Sequence, residues 1–249
     1  MRLIGMEFFK CRRRQVPLIC LALIAAQLLW MGVSISRMEL EEMSDGWMLL
    51  LHSLTVIDAV MLPLTVAAIA SRSCELEHRG HTLKLLETVR TPGALFDAKL
   101  AWGAVWIALL LLGREIVLTV YCLCTGFPLS VPWGRLALHL FFSFAVSLTI
   151  YVLQESLSLL FANQAVALVA GIFGSFVGLF TLFFSPAVQR LVLWSYYGVL
   201  ALTVQDWNAA TRVTHFYWLE PNWPGLGLLA VWFLLLLAVG RSLFVRKEV

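Results

Sequence analysis

Six stretches of this chain are apolar for about 18 residues or more, the length a helix needs to cross some 30 Å of hydrocarbon. They run over 16–36, 47–71, 99–124, 136–162, 165–184 and 224–243. Of the 249 residues 61% are hydrophobic and only 13% are charged, where a soluble domain holds about 45–50% and about 25%. The 33 charged side chains (18 Lys and Arg, 15 Asp and Glu) cannot wrap a core this apolar, so lipid must be part of the solvent. Disorder, a collagenous chain and an ordinary cytosolic enzyme are excluded. The polar stretches leave no room for a separate soluble domain, and residues 1–249 read as one all-α integral membrane unit of six transmembrane helices.

The first stretch follows a basic segment, as a secretory leader does. It runs about 20 apolar residues rather than 7–15 and no small-x-small cleavage site follows, so it reads as an uncleaved span. Orientation follows from the basic residues. With both ends inside, the inner face holds Arg2, Lys10, Arg12, Arg13, Arg14, Arg72, Arg79, Lys84, Arg90, Lys99, Arg241, Arg246 and Lys247. The outer face holds Arg37, Arg135, Arg190 and Arg212, and Arg114 stays within the membrane. Thirteen against four predicts an N-in, C-in topology. Trp30, Trp47, Trp133, Trp194, Trp207, Trp218 and Trp223 then fall near the outer interface, a level that amphipathic rings favour.

Three segments are neither spans nor plain loops. Residues 1–15 mix Leu3, Ile4, Met6, Phe8 and Phe9 with cations, and predict a helix lying in the inner interface. Residues 73–99 form the largest inner loop, where Leu76, Leu83, Leu86 and Val89 share one helical face until Pro92-Gly93 stops it. A helix over about 74–90 is either a solvated, salt-bridged connector or a rod that takes a push from a soluble partner. Residues 191–202 are apolar but too short to span, and read as a re-entrant or interfacial segment on the outer side.

Asp58, Arg114, Glu115 and Glu155 lie inside the apolar stretches, where an ionised group costs about 2.5–3.5 kcal/mol unless it finds a partner. Asp58 is 11 residues from Trp47 and Arg114 is 10 from Cys124, so both sit roughly 15 Å below the outer boundary at about 1.5 Å per residue. An Asp58–Arg114 pair between the second and third helices is expected, acting as a helix-to-helix clamp or as a polar contact for substrate. Glu115 must face elsewhere, and Glu155 is expected to snorkel or bond locally. Gly174-Ser-Phe-Val-Gly178, extended by Gly171, permits close helix approach and is a candidate subunit contact.

Other chemistry is missing from the sequence. There is no GxxxxGK[ST] loop to cradle nucleotide phosphates and no HExxH, and His52, His78, His81, His139 and His215 show no metal-ligand spacing on a common face. No metal site is expected. The five cysteines (Cys11, Cys20, Cys74, Cys122, Cys124) form no framework and read as small apolar residues. A net charge of +3 with no basic stripe between aromatics argues against nucleic acid. If the protein moves something uphill, the energy comes from another chain.

Two motifs carry a resemblance. Glu7-Phe-Phe-Lys10-Cys-Arg12-Arg13-Arg14 leads into the first span, and Glu75-Leu-Glu77-His-Arg79-Gly80-His-Thr82-Leu83-Lys84-Leu85-Leu86 precedes Pro92 and Lys99. Together with six spans over the whole length, these resemble the permeases of type-2 ABC exporters, and the small size is most similar to the permeases of lantibiotic and bacitracin self-protection transporters. The resemblance implies a non-enzymatic transport subunit in a bacterial plasma membrane. It implies a second permease, identical or a sister chain, and two ATP-binding cassette subunits that hold ATP and Mg. It assigns Glu7, Lys10, Arg12, Arg13 and Arg14 to the interfacial helix. It assigns Glu75, Glu77, Arg79, Gly80, Thr82, Leu83, Lys84, Leu86, Glu87 and Arg90 to the coupling helix pressed by those subunits. The implied cargo is an amphipathic antimicrobial peptide. A lipid, glycan or drug as cargo, or an immunity protein that sequesters its ligand without ATP, are the alternatives.

Overall fold

The computed structural model describes residue 5 and residues 16–38, 42–79, 91–208 and 213–247. Helix α1 (Val16–Ser36) is followed by a 3-10 turn (Glu42–Asp45) and α2 (Gly46–Arg79), α3 (Pro92–Cys124), α4 (Trp133–Leu160) and α5 (Ala165–Thr181). Short helical turns follow, α6 (Pro186–Leu191), a 3-10 turn (Leu193–Ser195) and α7 (Tyr196–Val199). The chain then makes strands β1 (Thr203–Asn208) and β2 (Val213–Trp218) before the last helix, α8 (Trp223–Arg246). Five of these helices, α1, α2, α3, α4 and α8, are long and apolar enough to cross a membrane. The chain is a multi-pass, predominantly helical membrane protein. The stretch expected to span at 165–184 forms a 17-residue helix, α5, shorter than the other five.

Both ends of the bundle have their own apolar packing. At one end, hereafter the Trp47 end, Met31, Ile35, Trp47, Leu50, Phe127 and Leu136 pack together. The Trp47 and Phe127 rings meet edge-on at 5.4 Å, and Trp47 Nε1 donates to Pro128 O at 2.9 Å. At the other end Cys74, Leu95, Phe96, Leu159 and Phe244 form a second cluster. There Lys99, fully buried, donates to Ser73 O at 2.9 Å and ties α3 to α2. Lys247 Nζ donates to Leu159 O and Leu160 O, 3.0 Å each, and satisfies carbonyls that the end of α4 leaves open. Between the two ends lies the main core, built from α2, α3, α4 and the turns around α7.

The structure changes two expectations about where helices end. First, Pro92-Gly93 does not merely stop a helix. Pro92 occupies the first turn of α3 behind an extended Thr91, where its missing N–H and fixed φ cost nothing, so α3 begins seven residues before Lys99. Second, Cys74–Arg79 is not the start of a separate rod but the continuation of α2, which runs unbroken for 34 residues, about 50 Å. Residues 80–90 lie outside the described residues. The all-α class holds, with a short hairpin added to it, because β1 and β2 pair antiparallel from Thr203↔Trp218 to Asn208↔Val213. β-Branched and aromatic residues dominate both strands (Thr203, Val204, Trp207; Val213, Thr214, Phe216, Tyr217, Trp218), which suits a pleated edge better than a helix. Of the two expectations for Glu155, its complete burial in α4 removes snorkelling and leaves local bonding.

The segment 191–202 is the least exposed of the short pieces. Leu193, Tyr196, Tyr197, Leu200 and Leu202 insert into the main core, so these turns plug the bundle rather than lie loosely on it. Asn222 fastens the next helix to them, since its Nδ2 donates to Val199 O at 3.0 Å while its Oδ1 accepts from Gly225 N at 2.9 Å.

The same plug uses the small-residue face of α5. A Cβ on Gly174 or Gly178 would stand 2.1 or 2.8 Å from Trp194, and one on Gly171 would stand 2.5 Å from Ala67 Cβ. The face is spent within the chain and is not free for a second subunit. Gly113 has nothing within 4 Å of such an atom. Gly174→Ala is therefore expected to lower stability by about 1–3 kcal/mol relative to Gly113→Ala, read from thermal melts of the two variants in the same detergent.

Candidate functional site

An apolar helix that carries a charge must bring a partner to it, and three other helices here bring partners to one carboxylate on α2. Asp58 on α2 is fully buried, as are Gln27 on α1 and, to within 1%, Arg114 on α3. Asp58 Oδ1 accepts hydrogen bonds from Gln27 Nε2 and from Arg114 Nη1. Its Oδ2 accepts from Ser143 Oγ of α4 at 3.2 Å, with His139 Nε2 of the same helix 3.7 Å away. Glu115, one residue beyond Arg114, points to α4, where its Oε1 lies 3.1 Å from His139 Nδ1. Its Oε2 stands 3.6 Å from Arg114 Nη2 and accepts no hydrogen bond. His139 thus bridges two carboxylates while Arg114 is committed to one of them.

The cluster is closed on the side of the plug. The space beside Asp58, bounded by His139, Ser143, Tyr196 and Tyr197, is a cavity of about 10 Å³, room for one water at most. Tyr197 and Ser147 share a hydrogen bond of 2.9 Å next to it. Among the described residues no three His, Cys, Asp or Glu side chains are arranged to hold a metal ion.

The structure brings Asp58 and Arg114 together and adds Gln27, Glu115, His139 and Ser143, of which the sequence reading had missed Gln27, His139 and Ser143. The signal that would have found two of them is depth. Gln27 is 9 residues from the end of α1 at Ser36 and Ser143 is 10 from the start of α4 at Trp133, the same distance in as Asp58 and Arg114. Of the coupling residues, Glu75 closes an i,i+3 ion pair with Arg72 at 2.9 Å on the last turns of α2, and Glu77 and Arg79 continue that helix. Gly80, Thr82, Leu83, Lys84, Leu86, Glu87 and Arg90 lie outside the described residues, as do Glu7, Lys10, Arg12, Arg13 and Arg14.

Long apolar helices, a sealed ionic core and hydrophobic outer faces define a multi-pass integral membrane protein with the build of a transport subunit. A family model described as ABC-2 family transporter protein matches residues 3–204, most of the chain, and the chain belongs to that family. Members are membrane permeases, typically non-catalytic, that partner with ATP-binding cassette subunits. The match covers α1 to α7 and ends at the start of the hairpin. No curated protein matches the chain.

Breaking a buried ion pair leaves the surviving charge uncompensated and costs about 3–5 kcal/mol. Asp58→Asn and Arg114→Gln are each expected to destabilise the protein to that extent. The double variant is expected to lose less than the sum of the two, measured as a double-mutant cycle on thermal or denaturant unfolding. Additive losses would show that the two side chains do not hold each other.

Proposed function

We propose that this chain is the permease of an ATP-driven exporter that expels an amphipathic antimicrobial peptide, a lantibiotic foremost, from the bacterial plasma membrane as self-protection. Membership of the ABC-2 family supports the transport role, and the thirteen-to-four distribution of cations supports N-in, C-in with six crossings, α5 being the short fifth. Residues 1–249 form one transmembrane domain. Two such permeases, identical or sister chains, sit on two ATP-binding subunits that bind ATP and Mg.

The observation that carries this reading is the unbroken run of α2 from Gly46 to Arg79. Its inner end opens into the coupling segment, and Asp58, 21 residues before Arg79, ties the same helix to α1, α3 and α4. Closure of the ATP-binding subunits presses Glu75–Arg90, with Leu83 and Leu86 in their groove. A helix cannot shorten, so the push is delivered some 30 Å away at the ionic cluster. Spans one, two and five shift together and the cargo leaves outward. Glu7, Lys10 and Arg12–Arg14 hold the inner interfacial helix at the headgroups.

Leu83→Asp with Leu86→Asp is expected to abolish copurification of the ATP-binding subunit and to reduce ATP-driven release of labelled lantibiotic from vesicles at least about tenfold, while the permease stays folded. A wild-type chain that protects cells beside a catalytically dead ATP-binding subunit would overturn export in favour of sequestration. ATP-driven export of lipid in the absence of peptide release would reassign the cargo.

A further inference from the structure

Between α5 and the plug the chain turns back well inside one leaflet. A Cβ on Gly171 of α5 would stand 2.5 Å from Ala67 Cβ on α2 and 3.2 Å from the Gln154 side-chain amide on α4, so these three residues share one level. Thr181, the last residue of α5, is ten residues further along. Because α2 and α4 run the opposite way, this brings Thr181 level with Ile57 on α2 and Phe144 on α4. Ile57 is 10 residues from Trp47, and Phe144 is 11 from Trp133. Two separate counts thus end α5 roughly 15 Å short of the Trp47 end, at about 1.5 Å per residue. α6 stays near that level, since its Arg190 O accepts from Tyr196 OH at 2.9 Å and Tyr196 borders the space beside Asp58.

Backbone at such a depth must have its polar groups met from within the protein, and this turn is built that way. Gln189 Nε2 donates to Leu182 O at 3.2 Å and to Phe184 O at 3.0 Å, and Ser195 Oγ donates to Val192 O at 2.7 Å. The surrounding side chains are apolar and open: Phe183 is 84% exposed, Phe184 61% and Leu191 73%. Arg190 stands exposed among them. Among the described residues its guanidinium donates no hydrogen bond and meets no carboxylate. A cation placed so is costly unless an anion or water reaches it, and its stem is too short to carry the charge up to an undisturbed headgroup layer. Phosphate is the anion that a guanidinium matches with two parallel hydrogen bonds. A free phosphate ion gains nothing from an apolar patch. A phospholipid brings chains that cover Phe183, Phe184 and Leu191 as its phosphate comes down.

We propose that α6 is a phospholipid-docking site: Arg190 binds the phosphate of a lipid in the leaflet at the Trp47 end, Phe183, Phe184 and Leu191 hold its acyl chains, and the leaflet thins over the end of α5. Thinning is one response to a span shorter than the hydrocarbon. α5 has 17 residues and is about 25 Å long, against roughly 30 Å of hydrocarbon. The site goes beyond the transport reading above and rests neither on the cargo nor on which side of the membrane the Trp47 end faces.

The test uses the full-length chain in dodecylmaltoside, a detergent without phosphate, and follows its melting temperature during titration. The additives are dioleoylphosphatidylglycerol, dioleoylglycerol (the same chains without phosphate) and inorganic phosphate (the anion without chains). The phospholipid is expected to raise the melting temperature and the other two are not. Arg190→Gln is expected to weaken the apparent affinity for the phospholipid at least about tenfold, the value of one charge-assisted hydrogen bond. Arg37→Gln, which removes another exposed cation just past the end of α1, is expected to leave it unchanged. An equal response to dioleoylglycerol, an equal response to inorganic phosphate, or a phospholipid response that survives Arg190→Gln overturns the proposal. So does a fall from dimer to monomer in Arg190→Gln at unchanged lipid affinity, which would give the guanidinium a protein partner instead. Thinning is read in nanodiscs of dimyristoleoyl- and dieicosenoylphosphatidylcholine. The wild type is expected to lose more of its melting temperature than Arg190→Gln on passing from the shorter to the longer chains, and an equal loss overturns the thinning.

Discussion

A single carboxylate organises the bundle. Asp58 cannot remain ionised in an apolar interior without donors, and the chain supplies them from three other helices: Gln27 from α1, Arg114 from α3 and Ser143 from α4. Apolar packing between membrane helices is permissive, because lipid tails are as apolar as leucine and give little preference for one helix rotation over another. A buried charge is different. If α3 were rotated by one residue, about 100°, Arg114 would leave Asp58 and strand two charges in hydrocarbon, and the same turn of α1 would cost Asp58 the Gln27 hydrogen bond. The cluster therefore fixes register and rotation where packing alone would not, which is the best-attested use of buried polar groups.

The second constraint is mechanical. α2 carries Asp58 and continues through Arg72 and Glu75 to Arg79, while Lys99 of α3 holds α2 again at Ser73 O. The two helices are thus pinned to each other twice, by an ion pair roughly 15 Å in from the Trp47 end and by an ammonium on a carbonyl near the other end. Pinned twice, they move as one body rather than slide. Pro63 lies between the two pins, where the freed carbonyl of the preceding turn makes it the softest point of the helix. Bending of α2 therefore concentrates at Pro63, between the two pins.

Much of this was legible because hydrocarbon is a simple solvent. Five of six apolar stretches are long helices in the structure, since an uninterrupted apolar run has one favourable backbone arrangement there. Counting residues from the outer ends of the spans, Trp47 and Cys124, placed Asp58 and Arg114 in one layer, because rise per residue is constant along a helix. The same count applied to Gln27 and Ser143 would have placed them there too, but neutral polar residues draw less notice than charges. Where the solvent is mixed, the reading failed. At Pro92 the same residue suits the end of one helix and the start of the next, and only the extended conformation of Thr91 decides. The hairpin β1–β2 arises where water reaches the chain and alternation competes with apolarity. The glycines of α5 announce a close approach without naming what approaches, and the answer is Trp194 from the plug, a residue close by in sequence.

The plug and the cluster close on each other. The space between them beside Asp58 is about 10 Å³, and Tyr196 and Tyr197 are held there by hydroxyls that bond to Arg190 O and Ser147. The clamp between α2 and α3 is also coupled to α4. Arg114 Nη2 stands 3.6 Å from Glu115 Oε2, and Glu115 Oε1 lies 3.1 Å from His139 Nδ1. A rotation of α3 that draws Arg114 from Asp58 therefore also moves the carboxylate that His139 meets, so the three helices cannot change register one at a time.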